Sequence, residues 1–407
     1  MSISRRAILG SIPAAALLPT LRARAQQPTL KIGVLTDLSG PYQDTTGQTG
    51  VICAQQAVQD FAGSHGLTVE VISADHQNKA DIGAGIARQW FDRDGVDLIL
   101  DVPNSAVALA VNGVARERNK VFIASGSAST SLTGDQCSPN TVQWTYDTYM
   151  LAHSTGGALV KAGGTDWFFI GADYTFGHTL AQDTAAVVTA AGGKVAGSVF
   201  YPSPGTTDFS SLLLQAQASG AKVLGFANSG AETINCIKQA AEFGLTPQIR
   251  LAALLMYVTD VHALGLDAAQ GLSLTETFYW DLNDRTRAFT QRVLPKTPKN
   301  MPNMVHAGCY AGALHWMKAA AGIGAAQAKA NGVATVERMK AMLTDDDCFG
   351  VGSIRADGRT LHPAYLFQVK KPSESKGPWD LMRLVATTPA DQAFRPLDAG
   401  GCPLVHG

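Results

Sequence analysis

The best-patterned stretch of the chain runs from Leu30 to Phe61. Leu30, Ile32 and Val34 alternate with Lys31 and Gly33 and predict a short strand. Asp37 to Gly50 is a polar, turn-rich loop, and Val51, Ala54, Val58 and Phe61 then recur at helical spacing. Strand, loop and helix in that order open an α/β domain. Leu67 to Val71 alternates as a second strand, Ile82, Ile86 and Trp90 mark a helix, and Asp97 to Leu100 is a short apolar strand. Val107, Val111 and Val114 mark another helix before the strand Val121 to Ala124. Strands separated by helices of about ten to fifteen residues need crossover connections, so the sheet is parallel, doubly wound and covered on both faces.

The rhythm restarts after Trp144-Thr145-Tyr146-Asp147, with strands expected at 167–170, 195–200, 223–226, 249–253 and 272–274. Helices are expected at 180–191, 209–219 and 231–243. Two α/β units in series predict two lobes with a cleft between them. Helical patterns then follow at 284–294, 304–323 and 333–343, and strand-like runs at Tyr365–Val369 and Leu381–Val385. This last part is expected to add helices, not a third sheet, to the earlier lobes. Residues 371–407, rich in Pro, Gly and polar side chains, read as an extension wrapping the surface.

At 407 residues, with 46% apolar side chains, the chain can bury cores for two domains. Setting aside Arg5, Arg6, Arg22 and Arg24 leaves 28 of the 32 basic side chains against 33 acidic ones, a balance of about −5. That charge gives no support to a nucleic-acid partner. Ser4-Arg5-Arg6-Ala7-Ile8-Leu9 is a twin-arginine pattern, followed by a moderately apolar run to Leu21 and by Ala23-Arg24-Ala25. Residues 1–25 therefore read as an export signal, with a mature start at Gln26 and a periplasmic destination. Read as a membrane anchor, the run is shorter than the roughly 20 residues a span needs and is broken by Pro13 and Pro19.

An oxidising compartment allows the six cysteines to pair, although six permit 15 connectivities. Cys137 and Cys402 both sit in Pro-containing loops and are the expected pair; Cys53, Cys236 and Cys309 fall in helical patterns and read as buried small hydrophobes. There is no CxxC, GxGxxG, GxxxxGK[ST], HExxH or GxSxG, so metal, nucleotide and elbow-serine chemistries lack their signatures and no cofactor or metal is expected. His306 and His315 on one apolar helix read as packed or capping residues, and Asp345-Asp346-Asp347 as a solvated turn.

What remains is a set of loops at the carboxyl ends of predicted parallel strands, where ligands bind in open α/β sheets. Ser39-Gly40-Pro41-Tyr42 follows the first strand, Pro103-Asn104-Ser105-Ala106 the third and Ser125 to Thr130 the fourth. Their N–H and hydroxyl groups, at the starts of helices, suit an anion such as a carboxylate, although Ser and Thr also serve simply as helix caps. The second unit offers Asp173-Tyr174-Thr175-Phe176, Ala227-Asn228-Ser229 and Leu254-Leu255-Met256-Tyr257, with Phe278-Tyr279-Trp280 near the last crossover. Tyr and Trp there supply apolar bodies with polar tips, as a pocket or as core.

The DLSGPY opening, the DYTFG turn, TTDFSSLLLQAQASGAKVLGF and MPNMVHAGCYAGALHWMKAA together resemble the branched-chain amino-acid-binding family of periplasmic substrate-binding proteins, which feed ABC importers. The resemblance covers residues 30–370 or so. It implies a two-lobed type I periplasmic-binding-protein fold, each lobe a doubly wound parallel sheet, with three hinge crossovers near 144–148, 274–280 and 345–352. The N-terminal lobe would comprise 26–145 plus 275–348, the C-terminal lobe 146–274 plus 349–370, and 371–407 the extension. It also implies a monomer that closes on a small molecule, performs no catalysis and docks on the transmembrane subunits of an ABC permease. Carried over by position, Tyr42, Ser105, Gly126, Ser127 and Ala128 would line one side and Phe176, Asn228 and Met256 the other; the strand-end loops add Ala106 to the first side and Tyr174 and Tyr257 to the second, and the last crossover adds Trp280 there.

Two departures narrow the ligand. Amino-acid binders of this family usually have Thr where this chain has Ala128, and an acid in the loop where it has Leu254-Leu255-Met256. A buried ammonium stranded without a counter-charge costs several kcal/mol. A small organic acid, aromatic ones included, is therefore the preferred ligand; a branched-chain amino acid, an amide or a urea-like compound is the alternative. A sensor module presenting the same closed state to a membrane receptor, or a secreted enzyme using the cleft, remain readings from other classes.

Overall fold

Five parallel strands form the first sheet: β1 (Leu30–Thr36), β2 (Val69–Asp75), β3 (Leu98–Asp101), β4 (Val121–Ala124) and β5 (Thr141–Gln143), in the order β2-β1-β3-β4-β5. The computed structural model describes residues 28–405 except 247, 298 and 299, so the export signal expected over 1–25 lies outside the described residues. β3 and β4 are buried along their whole length, as strands covered on both faces must be, which is why they read as unbroken apolar runs. Trp90 packs directly on β1, and a side chain at Gly33 would meet its indole at 2.4 Å.

The second sheet repeats the arrangement with β6 (Asp166–Ala172), β7 (Lys194–Tyr201), β8 (Val223–Ala227) and β9 (Arg250–Ala253), ordered β7-β6-β8-β9 and parallel throughout. Each sheet thus reverses its winding direction between its first and third strands, at β1/β3 and at β6/β8. Such switch points open a crevice at the carboxyl ends of the strands.

The expectation of no further sheet is corrected. β10 (Ser273–Glu276) pairs antiparallel with β14 (Ala364–Val369), which pairs with β15 (Met382–Thr388). A second small sheet joins β11 (Thr344–Asp346), β12 (Gly350–Ile354) and β13 (Thr360–Leu361). β10, β14 and β15 read as strand-like runs in the sequence, but the pairing of β10 with β14 across about ninety residues is not visible there, whereas β11, β12 and β13 are only two to five residues long, too short for periodicity within a window to reveal. The Asp345–Asp347 turn is also more than solvated: Asp346 is buried and accepts the N–H groups of Cys348 and Phe349 (2.8 Å each), while Asp345 and Asp347 pair with Arg285.

The helix Met304–Ile323 is buried over most of its length and lies against the helix Gly47–Phe61, both on the first sheet. Its amino end is fixed by Asn303, whose Oδ1 accepts the Val305 and His306 N–H groups, and His306 bonds the Thr46 carbonyl at 2.9 Å. The extension returns to the first sheet's side of the molecule. A disulfide joins Cys137 to Cys402, and Arg395 donates to the carbonyl of Thr130 at 3.2 Å. Cys53, Cys236 and Cys309 are buried in helices, and Cys348 is buried too. Among the described residues no helix is long and apolar enough to cross a membrane.

Candidate functional site

Asp37, at the carboxyl end of β1, organises the first loop of the cleft. Its Oδ1 accepts the N–H groups of Ser39 (3.2 Å) and Gly40 (2.6 Å), and its Oδ2 that of Tyr42 (3.0 Å) and the Asn78 amide (2.8 Å). The helix that follows starts at Gly47, earlier than the sequence pattern suggests, because the Thr36 hydroxyl accepts the Gly47 N–H at 3.0 Å. Tyr42 is thereby presented across the cleft. Its hydroxyl lies 2.8 Å from that of Tyr174, which follows β6. A second pair closes the other side: the Tyr146 hydroxyl, on the first crossover, lies 2.8 Å from Tyr257 after β9 and donates to the Gly126 carbonyl at 2.6 Å.

Between the tyrosine pairs is a small cavity with about 10 Å³ of room for a water-sized molecule. Small-molecule sites run to roughly 300–1,000 Å³, so a ligand enters only as these side chains move apart. Of the residues expected from sequence, Tyr42, Gly126, Ala128, Tyr174, Phe176 and Tyr257 line it. Pro103, Ser229 and Leu255, from loops expected at the site, line it as well, and so do Thr45, Thr46 and Tyr146, which were not expected there. Every lining residue is uncharged.

The other expected residues lie elsewhere. Ser105 opens the helix Ser105–Glu117, but Asn104 Oδ1 caps it by accepting the Ala106 and Val107 N–H groups (3.0 and 3.2 Å), so the Ala106 donor is already used. Ser127 turns its hydroxyl to Ser105 (3.4 Å), behind the lining. Asn228 braces its own loop, donating to Tyr201 (2.9 Å) and accepting from Thr233 (2.6 Å). Met256 is buried in the core of the second sheet, while its neighbour Leu255, at the bend that follows β9, faces the cleft. Trp280 donates its indole N–H to the Trp379 carbonyl at 3.1 Å, outside the cavity.

The two sheets' loops touch directly. The Ala231 N–H donates to the Pro41 carbonyl at 3.2 Å, and Gly230 has φ +62° with Pro41 O only 2.5 Å from where a Cβ would stand. Asn303 Nδ2 reaches Thr259 Oγ1 at 3.3 Å. Glu276 accepts the first N–H of two helices, Val258 at 2.6 Å and Met304 at 3.2 Å. The structure is that of closed lobes.

Burial governs the electrostatics. It raises all four phenols, and the carboxylate of Glu232 adds to the effect at Tyr42 and Tyr174. Desolvation also pushes Asp101, Asp260 and Glu232 up to about 7 and Glu276 to about 8. Asp101 lies behind Gly126: a Cβ there would stand 2.5 Å from its Oδ1. No nucleophile and base pair faces the cavity, whose lining offers only hydroxyls, backbone N–H and C=O groups and aromatic walls.

A family model for periplasmic binding proteins matches residues 29–377. The chain is a type I periplasmic binding protein. A periplasmic binding protein of Burkholderia mallei is 48% identical, with a TM-score of 0.88 over 92% of this chain and 99% of that one. A branched-chain amino-acid ABC transporter periplasmic ligand-binding protein of Burkholderia xenovorans is 37% identical, with a TM-score of 0.79 and the same coverage. A solute-binding protein of an ABC transporter from R. palustris, in complex with benzoate, is 20% identical with a TM-score of 0.81 over 92% of this chain and 100% of that one, a likeness of fold. No curated protein matches the chain. The periplasmic binding protein described here is thus a solute-binding component of the ABC-transporter kind, from a family of transport proteins and not of enzymes.

Proposed function

We propose that this protein captures a small carboxylate, aromatic acids foremost, in the periplasm and delivers it as a monomer to an ABC permease. The observation that carries this reading is the uncharged, tyrosine-rich lining of the cavity. A carboxylate needs hydrogen-bond donors, which tyrosine, threonine and serine hydroxyls and the backbone around Gly126 and Ala128 supply; the rings of Phe176 and the tyrosines suit a flat apolar body. An α-ammonium would need a charged partner in the lining, and the lining has none. The benzoate carried by the R. palustris protein of this fold is a ligand of matching chemistry. Export by the twin-arginine pattern at Arg5-Arg6 belongs to the same reading.

The test is a thermal-shift and calorimetry screen of mature protein, unfolded and refolded to strip carried-over ligand. Benzoates, aliphatic acids, leucine, valine, amides and urea are the panel. Stabilisation by benzoates follows RT ln(1 + [L]/Kd) and supports the reading. Stabilisation by leucine or valine with none by any carboxylate overturns it.

A further inference from the structure

Behind the Tyr42–Tyr174 pair sits an acid that the ligand reading leaves unused. Glu232, in the first turn of the helix Ala231–Glu242, is only 3% exposed. Its Oε2 accepts from Tyr201 and from Ser203, each at 3.0 Å, and Ser203 lies beside the Tyr42 phenol. Its Oε1 is buried and has no donor among the described residues. A buried acceptor left without a donor is destabilising, more so where it carries charge, so such an atom calls for a partner. The nearby hydroxyls cannot serve without loss: Tyr42 and Tyr174 are bonded to each other, and Tyr201 and Ser203 already donate to Oε2.

We propose that Glu232 Oε1 is the acceptor for a neutral hydrogen-bond donor on the ligand, a ring hydroxyl of the aromatic acid proposed above, on which this assignment rests. The ligand then has one orientation. Its carboxylate points away from Glu232, toward Gly126, Ala128 and the Tyr146–Tyr257 pair, and its hydroxyl displaces the direct contact between Tyr42 and Tyr174. A carboxyl oxygen at this place could equally take an ammonium, which is why leucine stands beside the benzoates in the test.

The experiment measures Kd for benzoate, 3-hydroxybenzoate and 4-hydroxybenzoate by calorimetry, with leucine alongside, on the refolded mature protein and on its Glu232→Gln and Glu232→Ala variants. The wild-type protein is expected to bind one hydroxybenzoate about tenfold more tightly than benzoate, a measurement that needs no variant. In both variants this preference is expected to collapse toward unity. A hydroxybenzoate-to-benzoate ratio unchanged by both substitutions overturns the assignment while leaving the carboxylate reading intact, and so does a wild-type protein without the preference. Leucine binding that is lost in the variants makes the donor an ammonium and overturns it too. Failure of all three benzoates to bind overturns both.

Discussion

The hydroxyl of Tyr42, carried by the loop after β1, meets that of Tyr174, carried by the loop after β6, at 2.8 Å across the cleft. Tyr42 is buried and Tyr174 half-buried, so each hydroxyl relies largely on the other. Removing one strands the other. Tyr42→Phe is expected to disfavour the closed state by about 1–2 kcal/mol and to weaken binding of benzoate, which has no hydroxyl to displace the contact, roughly five- to thirtyfold. The Tyr42→Phe, Tyr174→Phe double variant should fall short of the sum of the two single losses, because the second deletion removes an already stranded group. Calorimetric Kd values for the four proteins check this, and strict additivity contradicts it.

Gly230 marks the tightest approach of the two lobes. Its φ of +62° suits glycine, and Pro41 O and Tyr42 Cδ1 would stand 2.5 and 3.2 Å from an added Cβ. Because Pro41 and Gly230 belong to loops on different sheets, the clash exists only when the lobes are closed. Gly230→Ala is expected to raise Kd by at least about tenfold through impaired closure. The unliganded protein should lose only about 1 kcal/mol, from the strained backbone. Small-angle scattering with saturating ligand checks the mechanism: the variant should remain more expanded than the wild type.

Most of the scaffold is legible in the sequence, because most strands of both parallel sheets are apolar or alternating runs bounded by helix-period segments; β5, three residues long and two of them polar, is not. The loops after β1, β4, β6 and β9 are legible as well, and they bring Tyr42, Ala128, Tyr174 and Tyr257 to the cavity. Side-chain direction within those loops is less so. Leu255 and Met256 are equally apolar neighbours, and only the course of the bend after β9 decides which one faces the ligand. Tyr146 reads as a landmark of the crossover, since its meeting with Tyr257 joins segments 111 residues apart. Glu232 reads as an ordinary acid in a helix's first turn, and only the packing of Tyr201 and Ser203 around it distinguishes it.

The extension supports the crossover behind the cavity. Arg359 is fully buried, donates to the Tyr146 carbonyl at 3.0 Å and lies 4.4 Å from the ring of Phe394, while Cys402 ties the end of the segment to Cys137. The bond closes a span of 265 residues, so its loss frees much unfolded-state entropy. Cys137→Ser with Cys402→Ser is expected to lower stability by about 2–4 kcal/mol. Denaturant titration of the oxidised wild type and the double variant checks it, and superimposable curves would refute a structural role for the bond.

The buried acids fix the sign of the pH dependence. Burial raises Asp101 from its ordinary 3.8 to about 7, with the Ser125 hydroxyl at 3.5 Å and the charge of Asp37 as further influences. A carboxyl that holds its proton more tightly when folded contributes stability fully below pH 3.8, and loses it as pH rises through about 7. Asp260 and Glu232 act in the same direction with values near 7, and Glu276 with a value near 8. The buried histidines His76, His306, His315 and His362 act oppositely: burial lowers each to about 3–4, so their contribution grows with pH only up to their ordinary 6.5. Between pH 6.5 and about 8 the acids alone remain. Thermal stability of the unliganded protein should therefore decline across that interval, and Asp101→Asn, which carries no proton equilibrium, should make the decline shallower. Tm measured at half-unit steps decides it: equal slopes in the two proteins would mean that Asp101 is ionised in the folded state throughout.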